Sequence, residues 1–149
     1  MASIGTLRTF GAPAPLTFGV RPRLKMTQAP APVDTSTAEH YLWGEGCDGW
    51  HLLKTSALSV IQEHVPAGAN EVKHLHSIAQ QFFYVLSGVA TMEFDGCSRQ
   101  IEAGKGIHIP AGVPHRFANR SNAGVTFLVV SSPSTAGDRT NLASPTESS

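Results

Sequence analysis

The chain reads as an all-β domain, a sandwich or barrel, and three observations predict it. Its apolar runs are short and rich in Val, Ile, Phe and Tyr. Turn residues separate those runs at regular spacing. No stretch carries a convincing helical period over roughly a dozen residues.

In chain order the expected strands are Tyr41–Trp43, Trp50–Leu53, Leu58–Val65, Gln81–Leu86, Val89–Phe94, Arg99–Ile101, Ile107–Ile109, His115–Ala118 and Val125–Ser131. Pro66-Ala67-Gly68, Ser87-Gly88, Asp95-Gly96, Gly104-Lys105-Gly106 and Pro110-Ala111-Gly112 punctuate them. Asp95-Gly96 between two strands predicts a type I′ hairpin. No tandem repeat suggests a solenoid or propeller.

The ends differ from the middle. No acidic residue precedes Asp34, while Arg8, Arg21, Arg23 and Lys25 are basic and five prolines interrupt the same stretch. Residues 1–38 are therefore expected to be a flexible tail, a weak organellar presequence, or an over-extended start ahead of Met26. The barrel is expected over 39–132. After Pro133 the chain turns to Ser, Thr, Ala and Gly, so 133–149 reads as a mobile terminus.

A length of 149 residues suits one domain with a proper core. Eleven basic and eleven acidic residues balance to a formal charge of zero. That argues against nucleic-acid binding and attraction to an anionic membrane. No apolar run is long enough to cross a bilayer as a helix. Only Cys47 and Cys97 are present, which suggests a reducing, cytoplasmic setting with passive thiols.

His74-Leu75-His76 is the most informative motif. On an extended strand both imidazoles point to one face and can reach one point, which suits a metal ion. Along the next strand Gln81, Phe83 and Val85 share a face, and further on His115, Phe117 and Asn119 share one. Together they predict a small, mostly dry pocket with a polar focus, its walls including Phe83, Val85 and Phe117. His64 alternates with Val60 and Gln62, so it either lines that pocket or stands as a satisfied strand histidine. His40 and His51 read as surface residues, and His108 as a surface or interface residue. Glu71 reads as a solvated residue and a weak acid–base candidate. Trp43 and Trp50 are expected to help cover an edge strand.

Residues 68–88 and 104–119 resemble the two signatures of the cupin superfamily. The first runs Gly68, His74, His76, Gln81, Gly88, with glutamine where the family usually has glutamate. The second runs Gly104, Pro110, Gly112, His115, Asn119. The resemblance implies a small jelly-roll barrel. It implies one divalent ion (Fe, Mn, Ni or Zn) held by His74, His76 and His115, with Gln81 at the fourth position. That glutamine either coordinates through a neutral amide oxygen or orients a water or substrate. A site of neutral ligands keeps the full charge of the ion and favours an anionic or enolisable ligand. The resemblance thus implies a metal-dependent oxygenase, isomerase, cyclase or lyase acting on a small molecule. The alternative is a cupin that binds a small molecule or metal without turnover. A homodimer is expected in either case.

Overall fold

The computed structural model describes residues 29–143. Residues 1–28, with the Met26 question, and residues 144–149 lie outside the described residues. The barrel and its site belong to the compact unit that begins at Pro32.

Eleven strands and no helix make up the described residues. All pairing is antiparallel. The larger sheet takes β1 (Glu39–Trp43), β2 (Cys47–Lys54), β3 (Ser59–Val65), β10 (Val125–Ser132), β5 (Gln80–Ser87) and β8 (Gly106–Ile109), side by side in that order. A second sheet takes β7 (Cys97–Glu102), β6 (Val89–Phe94) and β9 (Arg116–Ala118). A short ribbon pairs β4 (His74–Leu75) with β11 (Thr140–Asn141). Nine strands fall where the sequence places them. The two-residue strands β4 and β11 do not, because neither carries a readable alternation.

Period-two burial builds the core. On β5, Gln81, Phe83 and Val85 are buried while Phe82, Tyr84 and Leu86 are exposed. On β10, Val125, Phe127, Val129 and Ser131 are buried. Register sets Val129 against Phe83 and Ser131 against Gln81 on the same inward face. Phe117 from the second sheet stacks on Phe127 at 4.0 Å between centroids, with Phe83 6.0 Å from Phe117. Burial of each such ring stabilises the fold by about 1.5–3 kcal/mol. These rings fill the space between the sheets.

Gly88 turns β5 into β6 with a φ of 83°. A side chain there would also meet the Gly124 carbonyl oxygen at 2.6 Å, so the position demands glycine twice over. The hairpin between β6 and β7 departs from expectation. Only Gly96 has positive φ, and no non-glycine among the described residues does. Asp95 therefore avoids the left-handed region, and the φ signs are those of a type II turn, not type I′. Asn119 behaves as a structural amide: its Nδ2 donates to the Val65 and Ala123 carbonyls, and its Oδ1 accepts from the Ser121 N–H.

The stretch after Pro133 corrects the expected mobile terminus as far as residue 143. It is not loose there. Thr140 and Asn141 pair with Leu75 and His74, and the Leu142 N–H donates to the Lys73 carbonyl at 2.8 Å. The Asp138 carboxylate accepts the backbone N–H groups of Ser77, Ile78 and Ala79. Main-chain pairing and one carboxylate hold the segment, so its small, polar composition gave no sign of it.

Candidate metal centre

His74 enters from β4 and His115 from the residue before β9. The two form an isolated backbone bridge, each donating its N–H to the other's carbonyl, at 3.0 and 2.9 Å. His76 follows one residue past β4. All three rings are buried, and one imidazole nitrogen of each lies within 4.8 Å of the others.

Each ring is locked by its Nδ1. That atom donates to the Val72 carbonyl in His74, the Val113 carbonyl in His115 and the Asp138 carbonyl in His76, each at 2.8 Å. This fixes the tautomer and leaves every Nε2 as a lone pair turned toward the cluster. Burial holds His74 and His115 well below the usual histidine range, each at about 4. Both rings are therefore neutral near pH 7, the form a metal needs.

Gln81 is buried beside them. Its Nε2 donates to Ser131 Oγ at 3.2 Å, and its Oε1 faces His115 Nε2 at 3.1 Å. With His115 Nδ1 already donating, that contact sets two acceptors against each other. A cation between them resolves it; so does the reversed amide, donating to His115 and accepting from Ser131. Three fixed lone-pair nitrogens and a facing amide oxygen fit a divalent ion of the zinc, iron, nickel or manganese kind.

A cavity of about 170 Å³ opens over these groups. Besides His74, His76, Gln81 and Phe83, its lining includes Tyr41, Glu63, Glu71 and Arg139, with His115 behind it. An outer cleft of about 370 Å³ shares those last four residues and adds Trp43, Asn70 and Val72.

Of the expected pocket walls, Phe83 lines the cavity. Val85 and Phe117 do not; both are fully buried core residues deeper in the barrel. His64 is also absent from it. On β3 the odd positions Ile61, Glu63 and Val65 pair across to Val129, Phe127 and Val125 on the inward face, so His64 points the other way. It bonds Thr126 Oγ1 at 3.0 Å and packs over Gly124. Of the two alternatives for His64, the satisfied strand histidine is the one found, since a strand's two faces differ by one residue of phase.

Glu71 is not solvated. Its side chain is 15% exposed, accepts the Phe117 N–H at 3.3 Å and pairs with Arg139 at 3.7 Å. Burial raises its carboxyl above the usual range, opposed by Arg139. Glu63, Tyr41 and Arg139 were missed in the sequence because no local motif joins them. His108 is exposed and bonded to Gln80, as expected of a surface residue. Cys47 is buried, and burial with nearby Glu63 pushes its thiol up to about 11, which suits a passive role.

Comparison with known proteins matches residues 61–131 to the cupin domain. An uncharacterized protein of Methanocaldococcus jannaschii is 27% identical over 92 residues, covering 62% of this chain and 74% of that one. Among solved structures, a sugar phosphate isomerase of a cupin superfamily from Silicibacter pomeroyi aligns with a TM-score of 0.61 at 24% identity, over 68% of this chain and 75% of that one. The polyketide cyclase RemF from Streptomyces resistomycificus aligns with a TM-score of 0.67 at 18% identity, over 80% and 89%. At these identities the solved structures establish the fold and not the reaction.

Proposed function

This chain carries a cupin domain, and from that premise we propose that it is a metal-dependent enzyme acting on a small, anionic or enolisable molecule. One observation carries the reading: three buried histidines with backbone-locked Nδ1 atoms bring one nitrogen each within 4.8 Å of one another, beside a cavity that His74 and His76 line. Apolar side chains would fill a barrel interior at less cost than three converging imidazoles, so the packing does not require that convergence.

When bound, the ion supplies Lewis acidity toward a carbonyl, enolate or carboxylate oxygen or, if redox-active, supplies dioxygen chemistry. The chain does the rest. His74, His76 and His115 would hold the ion, and Gln81 either joins them or orients what binds beside them. Phe83, Ile61 and Val129 give the cavity an apolar side that limits water. The inner volume of about 170 Å³ suits a small molecule, with longer substituents directed into the outer cleft. Phe82, Tyr84 and Leu86 form an exposed apolar row on the outer face of β5, which supports pairing with a second copy.

Elemental analysis of the purified protein beside His76→Ala tests the metal site. Near-stoichiometric metal in the parent, lost in the variant, is expected; equal and negligible metal in both would sink the reading. Oxygen uptake with a panel of 2-oxo acids, diketones and phenols then separates the branches. Uptake that depends on iron selects the oxygenase branch. Conversion without uptake selects isomerase, cyclase or lyase chemistry. Tight ligand binding with no turnover would instead make the domain a binding module.

A further inference from the structure

Glu63 has an unusual position for a carboxylate. It stands in the middle of β3 on the inward face and lines both the inner cavity, with the histidines, and the outer cleft. Tyr41 donates its hydroxyl to Glu63 Oε1 at 2.9 Å, although Tyr41 lies two strands away on β1. Register explains how it reaches. Tyr41 pairs with Gly49 on β2, and Gly49 pairs with Glu63 on β3. The tyrosine ring lies across the gap that Gly49 leaves. A Cβ at position 49 would fall 2.2 Å from Tyr41 Cζ and 2.6 Å from its hydroxyl. Gly49 is not among the glycines with positive φ, so its backbone does not demand glycine. The tyrosine crossing does.

The surrounding charges are divided unequally. Glu71 has Arg139 and the Phe117 N–H. Among the described residues no cation lies within ion-pair distance of Glu63, whose side-chain partner is the neutral Tyr41 hydroxyl. Arg139 acts on it only from farther away. The other titratable groups around it are His74 and His76 across the inner cavity and the buried Cys47 thiol. Burial, with the charge of Glu71 beside it, pushes the Glu63 carboxyl up to about 8. That holds for the metal-free chain; burial and Glu63 itself raise Tyr41 and keep its hydroxyl protonated.

We propose that Glu63 is the proton-transferring group of this cavity, positioned by Tyr41 across the Gly49 gap, for substrates with a C–H bond beside a carbonyl. This rests on the reading of the histidine cluster as a metal site. In the step, the Glu63 carboxylate takes the proton. The C–H bond breaks, an O–H bond forms on Glu63, and the C–H electron pair becomes the C=C bond of an enolate as the carbonyl electrons move to oxygen. Return of a proton from Glu63 to the same carbon completes an exchange and regenerates the carboxylate; where that carbon bears a hydroxyl, return to the former carbonyl carbon, with the hydroxyl proton passing to the enolate oxygen, completes an isomerisation. No oxidant or reductant is needed. Its place on the cavity wall, with no cation paired to it and the Tyr41 hydroxyl fixing one oxygen, leaves the other oxygen for a substrate proton.

Deuterium wash-in tests this. Metal-loaded protein is incubated in D₂O with pyruvate, 2-oxoglutarate or dihydroxyacetone, and incorporation is read by mass spectrometry beside metal content. The parent is expected to exchange at least one probe above the protein-free rate. Glu63→Gln should lose at least about 100-fold of that rate with metal content unchanged. Tyr41→Phe should keep part of the rate and move the midpoint of its pH profile upward, since a hydrogen bond that favours the carboxylate is gone. That shift is a readout a merely structural tyrosine would not give. Exchange retained in Glu63→Gln would overturn the proposal, as would an unshifted profile in Tyr41→Phe. A metal-loaded parent that exchanges none of the three probes would overturn it too and leave the metal site standing. A parent that binds no metal would sink the underlying reading instead.

Discussion

His74 and His115 are locked face to face by their own backbones: each donates its N–H to the other's carbonyl, and their rings lie 4.5 Å apart. They come from the two motif halves, and the main chain alone brings them together. Side-chain rotation then has little to decide, because each Nδ1 is tied to a carbonyl two residues earlier in the sequence. His76 is different. Its Nδ1 depends on the Asp138 carbonyl, which arrives from the far end of the chain. Two of the candidate ligands are thus set by the barrel and the third by a strap.

Asp138→Ala should loosen that strap. The carboxylate binds three successive N–H groups at Ser77, Ile78 and Ala79, and these leave His76 in place only while the strap is seated. Loss of an outer partner of this kind weakens metal binding by about 10–100-fold. Competition with a chromophoric chelator should show that loss, with amide exchange rising over 76–79 and 138–142. An unchanged metal affinity would mean the strap does not hold His76.

Gln81→Glu should tighten metal binding and destabilise the metal-free protein. The new carboxylate would sit buried against His115, 3.1 Å from its Nε2 in the parent geometry, with only Ser131 to satisfy it. Burial without full partners costs about 1–3 kcal/mol. A bound cation would more than offset this and lower the metal Kd by at least about 10-fold. Melting curves with and without metal would move in opposite directions. An unaltered Kd would place residue 81 outside the coordination sphere.

Much of the fold and half of the site were legible because their signals are local. Two histidines one residue apart on a strand, glycines at sharp turns and alternation along Gln81–Leu86 all need only neighbouring residues. The cavity's other wall was not legible. Tyr41, Glu63, Glu71 and Arg139 meet only through strand register and a strap, which no short window encodes. Alternation alone left His64 either in the pocket or as a satisfied strand histidine, and its bond to Thr126 shows the second. Asp138 sat in a Ser- and Gly-rich stretch whose anchoring is mostly main-chain.

Phe117→Ala should cost about 3–5 kcal/mol in urea unfolding. The ring is fully buried, stacks on Phe127 at 4.0 Å and bridges the two sheets. It lies two residues from His115, so the metal-binding constant should weaken along with stability. Phe117→Leu, which keeps most of the volume, should recover the larger part of both. A loss below about 1 kcal/mol for the alanine variant would show that the space collapses without that ring.

The histidines should make stability pH-dependent in a definite sense. In the folded chain burial holds His74 and His115 at about 4, against about 6.5 in the unfolded chain. Between those values the unfolded state binds the extra protons. Each histidine therefore contributes its full share above pH 6.5, and that share is lost as the pH falls toward 4. Glu63 works the other way. Its raised folded value makes the folded state the better proton binder from the ordinary 4.5 up to about 8, so its contribution falls as pH rises. The two slopes oppose each other between about 4.5 and 6.5 in the parent, and a single curve would conceal both. The difference between parent and His115→Gln, measured by urea unfolding in chelator, isolates one histidine. It should rise by up to about 3 kcal/mol from about pH 4 to pH 6.5 and stay flat above. The difference between Glu63→Gln and parent should instead keep growing toward about pH 8. A flat histidine difference would mean that His115 is protonated, or solvated, in the metal-free fold.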